Sequence, residues 1–329
     1  MLNNNKLMTA IKTTGIPHLG NILSIIKPIL KIINNNIKNK KIFIFIADLH
    51  AITNYQNNKL LVNNIYKNAA VWLSFINIIN NKDLIFYRQS DIKEITQLFW
   101  IINCFYPFNR LKLSHVYKIK KKINNGVFNY PILMASDILL YNINKVIIGK
   151  DQIQHIEITR KIAKIINYKL NKKLFTLPKY YLKYKFIIPG IDGQKMSKSN
   201  NNIINIFDNI YNLEKQIMNI ITINKSINNL SYKDIKKTIL FKIYNLIANK
   251  EQIINLKEKI KNNKISFYKI KKLLINIILK NFKNERIKYI YYLNNKNIIN
   301  NILYKGYKKS KKIAKNNFSL IKKEIGLNI

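Results

Sequence analysis

The amino-acid sequence predicts an α/β fold, a doubly wound parallel sheet followed by an all-helical region. Three observations carry that expectation. Short runs that are apolar at every position, at 42–47 (IFIFIA), 146–148 and 186–188, read as strands of a parallel sheet covered on both faces. Helical patterns lie between them, at 21–33, 60–79 and 151–166, and strand–helix alternation is how doubly wound sheets are written. Beyond about residue 210 glycine nearly vanishes and Ile, Leu, Lys and Asn recur at three- and four-residue spacings, so 212–329 reads as mostly helical.

Composition bounds the function. The chain has 329 residues, 48% apolar and 11% aromatic, enough for a sizeable core, which excludes a wholly disordered polymer. Lys and Arg number 58 against 15 Asp and Glu, a net charge of +43 that points to a polyanionic partner such as nucleic acid. The excess is nearly all Lys, beside very many Asn, Ile and Tyr; these share A/T-rich codons, so nucleotide bias discounts part of that inference. Asn/Lys clusters such as 34–41 read as solvated loops. Cys104 is the only cysteine, so a disulfide within the chain and a cysteine zinc site are excluded. No uncharged apolar run approaches the ~18 residues of a membrane span. The first fifteen residues lack the apolar core of a secretory leader. A soluble, cytoplasmic protein is expected.

The chemistry is concentrated in five blocks. At 13–21 two glycines flank His18 and a helical pattern follows. Glycine there lets a ligand approach the backbone, and free N–H groups at a helix start favour phosphate. Asn21 is placed to cap that helix. A plain Gly/Pro turn fits these residues alone at least as well. The run 47–53 (ADLHAIT) leaves the end of an apolar strand, where open α/β sheets bind ligands. His50 there reads as a pocket residue or as a hydrogen-bonded structural histidine.

At 130–141 the residues Tyr130, Met134, Asp137 and Tyr141 share one helical face, with Pro131 suited to a first helical position. Asp137 is the oddity, a carboxylate among Met, Ala, Ile and Leu, whose burial needs a donor. The strand 146–148 ends at Gly149; Asp151 then reads as an N-cap, with Gln154 set for a capping box. Finally, Asp192-Gly193 marks a turn before Lys195, Met196, Ser197, Lys198 and Ser199. Two lysines among serines suit a triphosphate and the charge on departing pyrophosphate. A solvated Lys/Ser loop is the alternative, and the spacing of about 175 residues from the first block, with a parallel-sheet pattern between, weighs against it.

His18, Gly20 and Asn21 (HxGN) with KMSKS at 195–199 resemble the two signatures of class I aminoacyl-tRNA synthetases. With 47–53, 130–141 and the run 149–160 (GKDQIQHIEITR), all in this order, the chain resembles the tryptophanyl-tRNA synthetase family. The likeness is specific to about residue 200, and the tail 306–327 resembles that family's last helix. The resemblance implies a Rossmann-type catalytic domain over 1–205. It also implies a helical, anticodon-binding region over 206–329, with the last helix packing back on the catalytic domain, and a homodimer.

It further implies ATP as substrate with Mg²⁺, no protein-bound metal, L-tryptophan and tRNA(Trp) as partners, and an adenylate intermediate. His18, Lys195 and Lys198 would act on phosphate charge. Lys12, Thr13, Thr14, Gly20, Asn21, Gly149, Lys150, Asp151, Ile187, Met196, Ser197 and Ser199 would complete the ATP site. Asp137 would take the indole N–H, Tyr130 and Gln152 the ammonium, and His50, Met134 and Met8 the rest of the amino-acid pocket. The chain departs from the family at Ala10, Lys12 and Thr13 (usually Gly, Gln and Pro), at Met8 (often aromatic), at Lys150, and at Leu113, where an Arg often precedes the phosphate-binding stretch, here Lys118-Ile119-Lys120. A tyrosyl-tRNA synthetase is the second reading, opposed by Met134 and by the Gln-x-Gln-His-x-Glu run from Gln152. A non-catalytic RNA-binding paralogue is the third, opposed by the intact HxGN and KMSKS.

Overall fold

The computed structural model describes residues 5–35, 40–54, 57–78, 81–112, 124–184, 186–223, 232–262 and 265–327. The stretch Lys118-Ile119-Lys120 and Leu113 lie outside them. Among the described residues five strands form one sheet: β1 (Asn5–Lys12), β2 (Lys40–Ala47), β3 (Leu84–Arg88), β4 (Lys145–Ile147) and β5 (Lys179–Tyr181). Their order is β3-β2-β1-β4-β5 and every pairing is parallel. The chain winds outward from β1 to β3, then returns to β1's other edge for β4. The switch point therefore lies between β1 and β4, where open α/β sheets leave a ligand crevice.

Strand β2 shows why the sheet needs covering on both faces. Ile42, Ile44 and Ile46 pack into one core and Phe43, Phe45 and Ala47 into a second core across the sheet. Parallel strands buried on both sides carry no polar alternation, so the IFIFIA run is the signature of this position. One predicted strand is absent. The run 186–188 is not a strand; Phe186 and Ile187 are half-exposed loop residues. An apolar triplet has no ladder of its own unless a neighbouring strand offers one. That edge is taken instead by β5, whose KYY sequence is exposed and carries no strand pattern.

On the first face, α1 (Leu19–Asn21) runs through a π-helical turn (Ile22–Ile26) into α2 (Lys27–Asn34). His18, not Asn21, is the N-cap; its backbone N–H donates to Asn21 Oδ1 at 3.2 Å. α3 (Asp48–Ile52) leaves the end of β2, and α4 (Asn58–Phe75) starts at the Asn57 cap. α4 stops at Phe75, short of the predicted 79, because Ile76 turns extended. α5 (Lys93–Phe105) and α6 (Phe108–Lys112) lie toward the second core.

α7 (Asn125–Leu140) begins six residues before Pro131, with Asn124 Oδ1 accepting from Val127 N at 2.8 Å. Pro131 is thus interior, where it cannot donate to the Val127 carbonyl. α8 (Ile153–Lys169) follows a 3₁₀ turn, Lys150–Gln152, capped by Gly149. Asp151 sits inside that turn and caps nothing in α8; its carboxylate is engaged elsewhere.

The C-terminal part is helical: α9 (Ile210–Met218), α10 (Tyr232–Lys237), α11 (Ile239–Ile247), α12 (Lys250–Lys261), α13 (Phe267–Asn281), α14 (Lys283–Asn294) and α15 (Lys296–Ile325). α14 packs on α4, and α15 lies against β3. Gly306 makes that contact possible, because a Cβ there would fall on the Phe86 carbonyl. Lower on the same helix Ser310 bonds Tyr141 through their hydroxyls at 2.6 Å, fully buried.

Candidate active site

The crevice at the C-terminal ends of β1, β2 and β4 opens into a pocket of about 990 Å³, at the large end for a ligand site. Nearly every residue singled out from the sequence lines it: Met8, Lys12, Thr14, His18, Gly20, Asn21, His50, Tyr130, Met134, Asp137, Gly149, Lys150, Asp151, Gln152, Ile187, Lys195, Met196, Ser197, Lys198 and Ser199. Thr13 is the exception. It is fully buried, its hydroxyl has no partner, and it is absent from the lining. β1 ends at Lys12, and the alternation of the chain turns Thr13 inward while Thr14 faces the pocket.

At the deep end stands Asp137, on α7. It is 1% exposed yet held by two side chains. Gln89 Nε2 donates to both carboxylate oxygens at 2.9 Å, and His50 Nε2 lies 3.1 Å from Oδ2. Burial pushes the carboxyl above its ordinary value, while the His50 and Gln89 bonds pull it down. Tyr130, two turns earlier on α7, bonds His155 Nε2 through its hydroxyl at 2.7 Å. Burial lowers His155 to about 4, so at neutral pH the ring that faces the Tyr130 hydroxyl is neutral. Gln152, read as an ammonium ligand, lines the pocket and donates to Asp151 Oδ2 at 2.9 Å.

At the other end the 195–199 loop folds over the first block. Lys198 Nζ donates to the Gly15 carbonyl at 2.6 Å, and Gly15 has φ +125°, which glycine alone adopts without strain. Met196 is buried with Sδ 3.3 Å from the Gly20 N–H. Asn202 pins the loop from behind: Oδ1 accepts from Ser197 N, and Nδ2 donates to Asp192 Oδ1 and to the Lys195 carbonyl. Lys195 reaches Asp151 Oδ2 at 2.9 Å. Burial alone would raise Asp151, but the Lys195 charge outweighs it and holds the carboxyl below its ordinary value.

Burial and two lysines together set the state of His18. Burial first, then Lys198 and Lys195, lower its imidazole to about 3. The sequence places His18 with the lysines on phosphate charge; in this pocket its ring is neutral at pH 7. Burial brings Lys198 down to about 8. Lys12 donates to Thr53 Oγ1 and Asn54 Oδ1, both at 2.9 Å, at the pocket mouth.

Several supporting residues were not identified from the sequence. Gln89 and Ser90 lie in the 3₁₀ turn Gln89–Asp91 at the end of β3. Asp48, inside the 47–53 run but given no role there, accepts from Ser90 N at 3.0 Å and from Ser90 Oγ. The signal was present: a polar QSD triplet leaving an apolar LIFYR strand marks the ligand end of a parallel sheet.

Sheet order, switch-point pocket and lysine loop together define a nucleotide-using α/β catalytic fold. Comparison with known proteins gives the family within that class. The model described as tRNA synthetases class I (W and Y) matches residues 2–289, and the chain belongs to that family. A tryptophan–tRNA ligase of Campylobacter jejuni (strain RM1221) is 34% identical over 327 residues, 98% of this chain and 100% of the relative. One from Fusobacterium nucleatum is 34% identical over 325 residues, 97% of each chain. The crystal structure of the Campylobacter jejuni tryptophanyl-tRNA synthetase with ADP and tryptophan superposes with a TM-score of 0.87 at 34% identity, covering 98% of this chain and 100% of that one.

Proposed function

We propose that the chain attaches L-tryptophan to tRNA(Trp) in two steps. The tryptophan carboxylate attacks the α-phosphorus of ATP, a P–O bond forms, and pyrophosphate leaves. The 3′-terminal hydroxyl of the tRNA then attacks the carbonyl carbon of the adenylate, releasing AMP. The observation that carries this reading is Asp137. A carboxylate has about four acceptor sites; Gln89 and His50 fill three, leaving one on Oδ1 for an indole N–H in an otherwise apolar end lined by Met8, Met134 and Phe45.

The other roles are assigned on the same reading. Tyr130 and Gln152 offer oxygens to the ammonium. Gly149, Lys150 and Asp151 border the ribose, and Ile187 the adenine. Gly20, Asn21, Thr14 and Lys12 sit along the phosphates with Ser197, Ser199 and Met196. Lys195 and Lys198 neutralise the charge that develops on pyrophosphate, and neutral His18 donates a hydrogen bond to it. Like other phosphoryl transfers, the first step needs positioning and charge stabilisation rather than covalent catalysis.

The acidic residues lining the pocket, Asp137 and Asp151, are both engaged by protein donors, and no cluster of three or more metal-ligating side chains occurs among the described residues. Mg²⁺ belongs to this reading as the counter-ion of the ATP phosphates, with no protein cage. The division into a catalytic part, 1–205, and a tRNA-reading helical part, 206–329, goes with it, as does a cytoplasmic homodimer.

The test is amino-acid-dependent pyrophosphate–ATP exchange, run in parallel with tryptophan and tyrosine. Exchange with tryptophan alone is expected. Exchange with tyrosine alone would keep the ATP site and overturn the Asp137 assignment. No exchange from folded protein would favour an RNA-binding paralogue.

A further inference from the structure

Behind Asp137 lies a residue that does not touch the pocket. Gln89 is fully buried and absent from the lining, and both ends of its amide are committed. Its Nε2 faces the two Asp137 oxygens at 2.9 Å each, and its Oε1 accepts the His50 backbone N–H at 3.4 Å. Flipping the amide would set an oxygen against a carboxylate and a donor against a donor, so the orientation is fixed. The turn that presents it is clasped from the next strand: Asp48 accepts from Ser90 N and Ser90 Oγ and from Leu49 N. One clasp therefore ties the ends of β2 and β3, and it holds His50 and Gln89, the two donors to Asp137, in a single unit.

We propose that Gln89 is a positioning residue that sets selectivity for the ring N–H of the amino-acid substrate. It does so by fixing the plane of the Asp137 carboxylate and filling acceptor sites that the substrate does not use. The inference rests on Asp137 accepting the indole N–H. Without Gln89, the buried carboxylate keeps His50 alone. It is then free to rotate, and its unfilled sites lie away from water, where a bare acceptor is costly. The substrate N–H loses a partner at a defined place, and a site built to bond an N–H ceases to penalise a substrate that lacks one.

The experiment compares tryptophan with an analogue carrying sulfur in place of the ring N–H. Pyrophosphate–ATP exchange is measured on the full chain, wild type and Gln89→Met, a change of similar size without donors. The wild type should prefer tryptophan in kcat/KM by about tenfold or more. In Gln89→Met the tryptophan KM should rise about tenfold with kcat within about threefold, while the analogue's KM stays within about twofold. The preference then shrinks about tenfold. Turnover of the analogue reports that the variant is folded; should Gln89→Met not fold, Gln89→Asn, whose amide is a methylene too short, carries the same comparison.

Equal losses for both substrates would reduce Gln89 to a packing residue and overturn the proposal. So would an unchanged preference. A wild type that does not distinguish the two substrates would instead overturn the reading of Asp137, a result recognisable before any variant is made.

Discussion

Lys195 and Lys198 share a loop but not an environment, and their chemistry divides accordingly. Lys195 is half-exposed and paired with Asp151 across the pocket mouth, an ion pair worth at most about 1 kcal/mol at such exposure. It can therefore exchange that partner for a phosphate at little cost. Lys195→Ala should lower the single-turnover rate of adenylate formation by about 10²-fold, the scale of losing one preorganised charge stabiliser; a rate near wild type would remove it from the mechanism. Lys198 is half-buried against the Gly15 carbonyl, and its desolvation lowers it from 10.5 to about 8. Its folded value lies below its unfolded one. Between roughly pH 8 and 10.5 the unfolded chain thus holds more protons, and raising the pH favours the fold through this group. The ammonium is lost over the same window, so kcat/KM for ATP should fall as pH rises above about 8. Bound phosphates favour the charged form, so the corresponding fall in kcat should lie at higher pH. In Lys198→Arg the limb should vanish from a pH profile of kcat/KM.

Helix α15 is the element on which the two ends of the chain meet. Its inward stripe includes Ile299, Leu303, Gly306, Ser310, Ala314 and Phe318, spaced as one helical face. At Gly306 local propensity and packing oppose each other. Alanine would favour the helix by up to about 1 kcal/mol. Its Cβ, however, would strike the backbone carbonyl of Phe86, a group that cannot rotate aside as a side chain does. Overpacking of this kind costs about 1–3 kcal/mol, and backbone contact puts it at the upper end. Gly306→Ala should therefore lower the Tm by several degrees in a thermal melt. Because Phe86 lies three residues before Gln89 in one strand and turn, the same variant should also raise the tryptophan KM.

Charge belongs to the molecule as a whole. The net +43 is spread over many exposed lysines, and α15 alone turns Lys305, Lys308, Lys309, Lys312 and Lys315 outward. Lys308 lies over the Tyr304 ring and Lys311 over Tyr307, an outward array of cations and aromatic faces suited to a nucleic-acid backbone. Raising salt from roughly 50 to 200 mM should raise the tRNA KM at least about tenfold and the tryptophan KM by less than about twofold. Equal responses would assign the charge to composition rather than to tRNA. The assembly is testable at this scale too. Trp100 on α5 is 70% exposed and Phe108 on α6 57%, large apolar side chains of the kind a homodimer interface would cover. Sedimentation of the full chain should give twice the monomer mass, and a Trp100→Glu change should shift it toward monomer.

What the sequence determined by itself was mainly what local physics encodes. Residues 42–47 read as a strand buried on both faces, and the helical texture beyond 210 and the two signature blocks were equally legible, because periodicity and turn chemistry act over a few residues. Local signals also misled where a partner decides: 186–188 found no strand to pair with, Pro131 lay inside a helix held by packing, and Asp151 turned from a cap to the Lys195 ion pair. Only the tertiary structure decided that Gln89 and His50 meet on Asp137, 48 and 87 residues away in the chain. It alone made His18 neutral, since desolvation and the nearness of two lysines from the far end of the domain are properties of an enclosed space. Hydrogen bonds and pKa values answer to neighbours in three dimensions, and a sequence names those neighbours only when they are also close along the chain.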